Sequence, residues 1–363
     1  MRPGRSLVLT DPTLLVRLDG GRLVCLRERQ VVAAVPLHEI SHLCLHGPVT
    51  LTGAAVARLL DEGIDMTLYS SAGRLRGMLS SVQAKNVYLL LAQVAAWNDA
   101  ARRIGFARPL LYSKLMGQRR LVQRHALDHG SAACAEVAER IGVLARQVLE
   151  EADLEALQGL EGAAAAAYFG VFGQMLRGGW TWPGRVRRPP RDPVNALLSF
   201  GYTLAAGEVA RCLLQAGFDL RIGLLHGIRY GRESLPLDLL EELRAPLVDR
   251  FTLRLLNRRQ LGPEEFEEQE GGAVRLTAEG RRKYLELWEE ALNRQVRRRD
   301  DEPQEGTRRL GRRAVRSDPA EGWSWRRRME RQVQRLRRYL LEGVAYRPLH
   351  PPPASPQDSS ADP

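Results

Sequence analysis

The chain is 363 residues long, 44% hydrophobic and 27% charged, which excludes a disordered chain, a fibrous repeat and a membrane bundle and makes two domains the starting expectation. Its 54 basic against 43 acidic residues leave a formal charge of +11, which points to a polyanionic partner, because basic groups that neutralise phosphates release counterions. Only three of the basic residues are lysines (Lys85, Lys114 and Lys283), and the other 51 are arginines, whose forked guanidinium suits bidentate phosphate binding.

The first residues contain no apolar stretch of the signal-peptide kind. Short runs rich in Val and Leu then predict strands at Ser6–Thr10, Leu14–Leu18 and Arg22–Leu26, with Asp19-Gly20-Gly21 as a hairpin turn. Further strands are expected at Gln30–Val35, His42–His46, Met66–Tyr69 and Leu75–Leu79, interrupted by one helix over Thr52–Glu62 that Gly63 closes. From Lys85 the apolar spacing becomes helical, as in Val87, Leu90, Leu91 and Val94. The expected fold is therefore α+β and multi-domain: a small β-rich N-terminal domain over 1–82, then a larger all-α domain over 83–348.

Within the second domain Asp192 caps a helix that has Pro193 in its first turn and Gly217 at its end. Another starts near Leu237, and Pro246 kinks or restarts it by removing a backbone donor. The Arg-rich stretch at about 296–320 reads as a mobile insertion, and 349–363 as a disordered Pro-rich tail. The longest apolar run, Gly162–Gly173, covers about half a bilayer crossing, so no membrane partner is expected. Cys25, Cys44, Cys134 and Cys212 lie far apart without C-x-x-C spacing, which argues against a disulfide framework or zinc ribbon and favours a cytoplasmic location.

His38-Glu39-Ile40-Ser41-His42 has the spacing of the zinc-protease motif H-E-x-x-H. That chemistry needs a helix to put both imidazoles on one face, whereas the flanking residues read as strands, so the motif is disfavoured as a metal site. Arg177, Arg185, Arg187, Arg188 and Arg191 surround Trp180 and Trp182. Such a loop suits either a grip on a nucleic-acid backbone or a solvated basic loop whose tryptophans cover a core edge. The arginines at 294–299 and 308–316 read as a solvated tether.

Three further places carry sharper chemistry. Glu161 heads an apolar helical run ending in Tyr168-Phe169, His226 ends the apolar stretch Ile222–His226, and Asp238 and Glu241 fall on one face of a helix beside Glu242. One imidazole with two or three carboxylates makes an oxygen-rich site suited to Mg²⁺ or Mn²⁺. Each also has an ordinary reading: a helix N-terminal charge for Glu161, a satisfied core histidine for His226, a solvated helix face for Glu241.

The stretch from Arg188 to Tyr202, the segment Gly217-Phe-Asp-Leu-Arg-Ile-Gly-Leu-Leu-His226-Gly and the run Gly231–Asp249 together resemble the universal CRISPR-associated adaptation integrase, also called the CRISPR-associated endonuclease. Leu45–Thr52, Gly63–Gly77, Gly272–Gly280 and Gln332–Tyr346 extend the resemblance over about 1–290 and 329–348. It implies a β-rich N-terminal domain that mediates homodimerisation and a helical domain with one divalent-metal site, for Mg²⁺ or Mn²⁺. By motif the catalytic metal ligands are Glu161, His226 and Glu241, with Asp238 orienting a ligand. Arg185, Arg187, Arg188 and Arg244 become candidates for holding phosphates, Arg244 equally as a structural partner of Asp249. The implied activity is that of a metal-dependent DNA endonuclease and integrase that inserts short foreign DNA fragments, the new spacers, into a CRISPR array. The 3′-hydroxyl of the fragment attacks a phosphodiester at the repeat edge, with activity falling in acid as His226 protonates. Implied partners are double-stranded DNA and a small second adaptation protein. The alternative is a non-catalytic basic DNA-binding scaffold of the same assembly.

Overall fold

A computed structural model describes residues 5–71, 73–80, 87–294 and 323–352. The chain divides into two compact units, 1–86 and 87–363. The expected boundary at 82/83 and the 296–320 insertion lie outside the described residues, as does the tail beyond residue 352.

The first unit holds strands β1 (Arg5–Leu9), β2 (Leu15–Asp19), β3 (Arg22–Arg27), β4 (Gln30–Pro36), β5 (Ile40–His46), β6 (Thr50–Leu51), β7 (Asp65–Tyr69) and β8 (Leu75–Leu79), with helix α1 (Gly53–Asp61) between β6 and β7. They form two four-stranded sheets, ordered β1-β5-β7-β8 and β4-β3-β2-β6. The β2–β3 hairpin turns on Gly20 and Gly21, both at positive φ, the conformation that a tight hairpin with right-handed strand twist demands. Thr52 caps α1 by accepting from the Ala55 amide. Val16, Leu23 and Cys25 from one sheet, Ile40, Leu43, Leu45 and Met66 from the other, and Leu59 of α1 share one core.

The second unit is mainly helical: α2 (Val87–Trp97), α3 (Ala100–His129), α4 (Ala132–Glu150), α5 (Leu154–Phe172), α6 (Pro193–Ala216), α7 (Ser234–Leu240), α8 (Arg250–Asn257), α9 (Ala278–Asn293) and α10 (Trp325–Glu342). It departs from an all-α domain by one antiparallel hairpin, β9 (Phe266–Gln269) with β10 (Ala273–Leu276). The chain is thus α+β, strand-rich first and helical after.

Helix α6 begins and ends where its capping residues require. Asp192 accepts from the Asn195 amide at 2.8 Å, Pro193 opens the first turn, and Gly217 closes it at φ +90°. By length and composition α6 is apolar enough to cross a membrane, but 67% of its apolar window is buried inside the protein, as befits a central core helix. Beyond α7 the chain widens into a π-helical turn, Arg244–Asp249, that absorbs Pro246 before α8. The expected disordered tail is corrected at its start. Leu349 donates its amide to Glu242 Oε2 at 2.5 Å, and buried His350 donates its amide to Ser113 Oγ at 2.9 Å, so the segment just beyond α10 is tied to α3 and to the end of α7.

Candidate active site

Four elements of the helical unit meet at one pocket: α3 through Lys114, α5 through Glu161, the α6–α7 loop through His226, and the end of α7 through Glu241. The cavity is about 320 Å³, and its lining includes Gln158, Glu161, His226, Arg229, Arg232 and Glu241. Glu161 projects from the middle of α5, whose N-cap is Asp153, so the helix N-terminal reading of this carboxylate does not hold. Arg232 and Ser234 both donate to the Gly227 carbonyl, and Arg232 Nε also reaches Ser234 Oγ at 3.0 Å, which fixes the loop just after His226.

The His226 loop owes its position to a glycine and a buried acid. A Cβ on Gly223 would lie 2.8 Å from Ser234 Cβ and 2.9 Å from Asp238 Oδ2, so only glycine lets the loop settle onto the start of α7. There the fully buried Asp238 collects three amides: Leu224 at 2.6 Å and Leu225 at 3.0 Å on Oδ2, His226 at 2.9 Å on Oδ1. Oδ1 also lies 2.7 Å from His226 Nδ1. Since a carboxylate can only accept, Nδ1–H donates, and the neutral ring keeps its free lone pair on Nε2. Nε2 stands 3.9 Å from Glu241 Oε1.

Charge is concentrated here under burial. The Lys114 ammonium contacts Glu161 Oε1 and lies 2.5 Å from Glu241 Oε2, while Arg244 Nε donates to the same Glu241 oxygen at 3.1 Å. Burial alone would raise the Glu241 carboxyl, but Arg244, Lys114 and His226 outweigh it and hold its pKa down at about 2. Burial likewise opposes the His226 cation, yet the hydrogen bond and charge of Asp238, with Glu241 behind, leave its pKa above the usual histidine value. Among the described residues, no three His, Cys, Asp or Glu side chains converge closely enough to hold a metal as they stand. The Lys114 ammonium is seated between two of the expected ligands, Glu161 and Glu241.

The other sequence candidates divide. Arg244 pairs with Glu241 and packs its guanidinium 4.6 Å from the Tyr202 ring centroid, while Asp249 accepts from Tyr168 and Tyr202 instead; the structural alternative for Arg244 therefore stands with a different partner. Arg185 turns inward, donating at 2.8 Å to the Val186 carbonyl and to Asn195 Oδ1, and at 3.1 Å to Ser199 Oγ. Arg187 and Arg188 are exposed. The tryptophans cover a core edge, Trp182 donating to the Phe169 carbonyl at 3.0 Å and Trp180 meeting Phe266 edge-on. Glu242, adjacent to Glu241, is a buried strut that accepts from Gln332 and Tyr346, each at 2.7 Å. In the first unit His38 and Glu39 occupy a single 3₁₀ turn and His42 sits in β5, bonded to Thr67 at 2.6 Å, so the zinc-protease geometry is absent.

Sequence reasoning did not find Lys114, Gln158, Arg229 or Arg232. Lys114 had a signal: it stands in the apolar run Leu110–Met116 of a chain whose cations are otherwise almost all arginine.

The profile of the family described as CRISPR associated protein Cas1 matches residues 7–290. The chain is 39% identical to CRISPR-associated endonuclease Cas1 2 of Rhodospirillum rubrum over 80% of this chain and 86% of that protein. Its fold is similar to that of a casposase bound to integration product (TM-score 0.73, 19% identity, 94% of this chain and 91% of that one). It is also similar to a chain of a Cas6-RT-Cas1–Cas2 complex (TM-score 0.71, 22% identity, 95% of this chain and 36% of that one). A profile match across both units, joined to a relative 39% identical over most of both sequences, makes this chain a member of the CRISPR associated protein Cas1 family.

Proposed function

We propose that the protein is a metal-dependent DNA endonuclease and integrase of CRISPR adaptation, which joins the 3′-hydroxyl of a short captured duplex to a phosphodiester at the edge of a CRISPR repeat. One observation carries this reading: a single pocket gathers Glu161, His226 and Glu241, with a cation already seated between the two carboxylates. The donor set suits a hard divalent ion, Mg²⁺ or Mn²⁺, and the Lys114 ammonium marks a place where positive charge is favoured. When bound there, such an ion supplies Lewis-acid stabilisation of charge developing on the phosphate. The chain's own residues do the rest. Asp238 holds the His226 ring with Nε2 toward the pocket, Arg244 keeps Glu241 ionised and in place, and Arg229 and Arg232 on the pocket lining offer positive charge to a phosphate. The relatives named as CRISPR-associated endonucleases, and the casposase bound to integration product, agree with this chemistry.

The same reading has double-stranded DNA as substrate, a homodimer built through the β-rich unit, a small second adaptation protein as partner and a cytoplasmic location; the Cas1–Cas2 complex among similar structures supports the second partner. The exposed Arg187 and Arg188 are candidate phosphate contacts, and Arg185 supports their loop from inside. The test is strand transfer of a short duplex into a repeat-bearing plasmid, with the small partner and Mn²⁺ or Mg²⁺. Metal-dependent joining is expected from wild type, with a loss on the order of 10²–10³-fold in Glu161→Ala and His226→Ala. Joining that survives both changes would sink the ligand assignment. DNA binding without any joining by wild type would favour a non-catalytic scaffold.

A further inference from the structure

We propose that Lys114 is a built-in counter-cation of the active site: its ammonium holds the two carboxylates together while metal is absent, and a divalent ion binds by displacing it. This rests on the reading that Glu161, His226 and Glu241 hold that ion. The geometry points to displacement rather than coexistence. The ammonium contacts oxygens of both carboxylates, which come from separate elements, α5 and the end of α7. A Lys side chain 7% exposed is tolerated only where it is paired, and two carboxylates this close repel unless a cation sits between them. A divalent ion bound to the same oxygens would face the ammonium at short range in a poorly screened site, so the two exclude each other.

The residue type fits an exchangeable role. An arginine would lock both carboxylates with its rigid fork, whereas lysine is a compact charge on a flexible stem that can swing away. The neighbouring cavity of about 320 Å³ gives it room. Elsewhere in the unit the buried cations of closed ion pairs, Arg211 and Arg326, are arginines.

Lysine labelling of the full-length protein tests this directly, because the chain has only three lysines, and Lys283, its side chain 44% exposed and ion-paired with Glu265, serves as the internal reference. Acetylation by an activated ester is followed by mass spectrometry in EDTA and in Mn²⁺, with Mn²⁺ binding measured by calorimetry on the same samples. Lys114 is expected to be protected in EDTA and to label roughly tenfold faster in Mn²⁺, and Lys114→Met is expected to bind Mn²⁺ roughly tenfold tighter than wild type, a normal size for coupling between competing ligands. If wild type binds Mn²⁺ while Lys114 stays protected, the proposal is overturned. Unchanged or weaker Mn²⁺ affinity in a folded Lys114→Met or Lys114→Gln also overturns it, and should both variants fail to fold, the wild-type labelling decides alone. A different outcome removes the metal reading itself: Mn²⁺ that does not bind wild type, or binds His226→Ala equally well.

Discussion

Two clusters of buried charge in the helical unit use the same kinds of residue to opposite ends. In one, Glu208 of α6 and Glu289 of α9 are bridged by Arg326 of α10, with Arg211 on Glu208 at 3.3 Å and both oxygens of Glu289 at 2.8 Å from Arg326 Nη2. In the other, Glu161, Glu241, Lys114, Arg244 and His226 are also bonded together, yet the His226 side chain is 30% and that of Glu161 27% exposed to a pocket. The first is closed, Arg326 forking between acids on two helices while Arg211 clamps one of them. The second is open on one side and bridges its carboxylates with the more exchangeable lysine. Charge, burial and ion pairing therefore do not mark a site in this fold; solvent access to an incompletely enclosed set of acids does.

The comparison breaks hardest at the closed cluster. Arg326→Met leaves Glu208 and Glu289 buried without their shared cation, and should cost about 3–5 kcal/mol of stability, read as a lower urea midpoint with little change in slope. Strand transfer per folded molecule, measured well below the transition, should stay near wild type. Removing both ends of one bridge with Glu289→Gln and Arg326→Met together should cost less than Arg326→Met alone, because Glu208 keeps Arg211 and no acid is left without a cation. If strand transfer per folded molecule falls in Arg326→Met as it does in His226→Ala, the two clusters are not independent and the distinction fails.

What the sequence disclosed follows the same division. Local devices were legible: the Gly20-Gly21 turn, Thr52 as a cap, and Asp192 and Pro193 opening α6 and Gly217 closing it each act within a few residues. The β9–β10 hairpin was not, because Phe266–Gln269 is mostly polar and has no apolar alternation to betray a strand. At the site, the spacing of Asp238 and Glu241 put both on one face, but nothing local told Glu241 from Glu242. One residue of register sends the first to the pocket and the second to Gln332, Tyr346 and the Leu349 amide. Lys114 lies 47 residues from Glu161 in the chain, and their contact exists only because α3 and α5 pack together. The inward turn of Arg185 depends on Asn195 ten residues later, a capping arrangement rather than a pattern of charge.

A smaller effect separates positioning from ligation within the open cluster. Asp238 acts on the pocket through the His226 loop that it holds, so Asp238→Asn should lower strand transfer by roughly 10–100-fold, the usual cost of losing a carboxylate that orients a metal-binding histidine. It should also carry a signature that a mere loss of packing would not. Asp238 raises the His226 pKa against the opposing effect of burial, so its removal lowers that pKa. The proposed metal ligation requires His226 unprotonated at Nε2, hence the acid limb of the pH–rate profile should move to lower pH in the variant even as the plateau drops. A lower plateau with an unmoved limb would mean that His226 does not govern the acid side.

The smallest effect concerns Asp249, which lies behind the open cluster and makes the comparison quantitative. It is fully enclosed and accepts from Tyr168 at 2.9 Å and from Tyr202. Burial raises its pKa to about 6, with both tyrosine hydrogen bonds and the charges of Arg244 and Arg185 pulling the other way. A carboxyl whose folded pKa lies above its unfolded value holds a proton that the unfolded chain releases first. Its stabilisation is therefore complete below about pH 4 and fades as the pH rises through 6. Glu241, 2.5 Å from Lys114 Nζ and 3.1 Å from Arg244 Nε and held at about 2, behaves oppositely, its contribution present at neutral pH and lost only in strong acid. The difference in melting temperature between wild type and Asp249→Asn should thus be largest near pH 4 and shrink by roughly 2–6 °C by pH 7. A difference that grows with pH would show that Arg244 and Arg185 hold Asp249 as a carboxylate, and would place it with the open cluster rather than behind it.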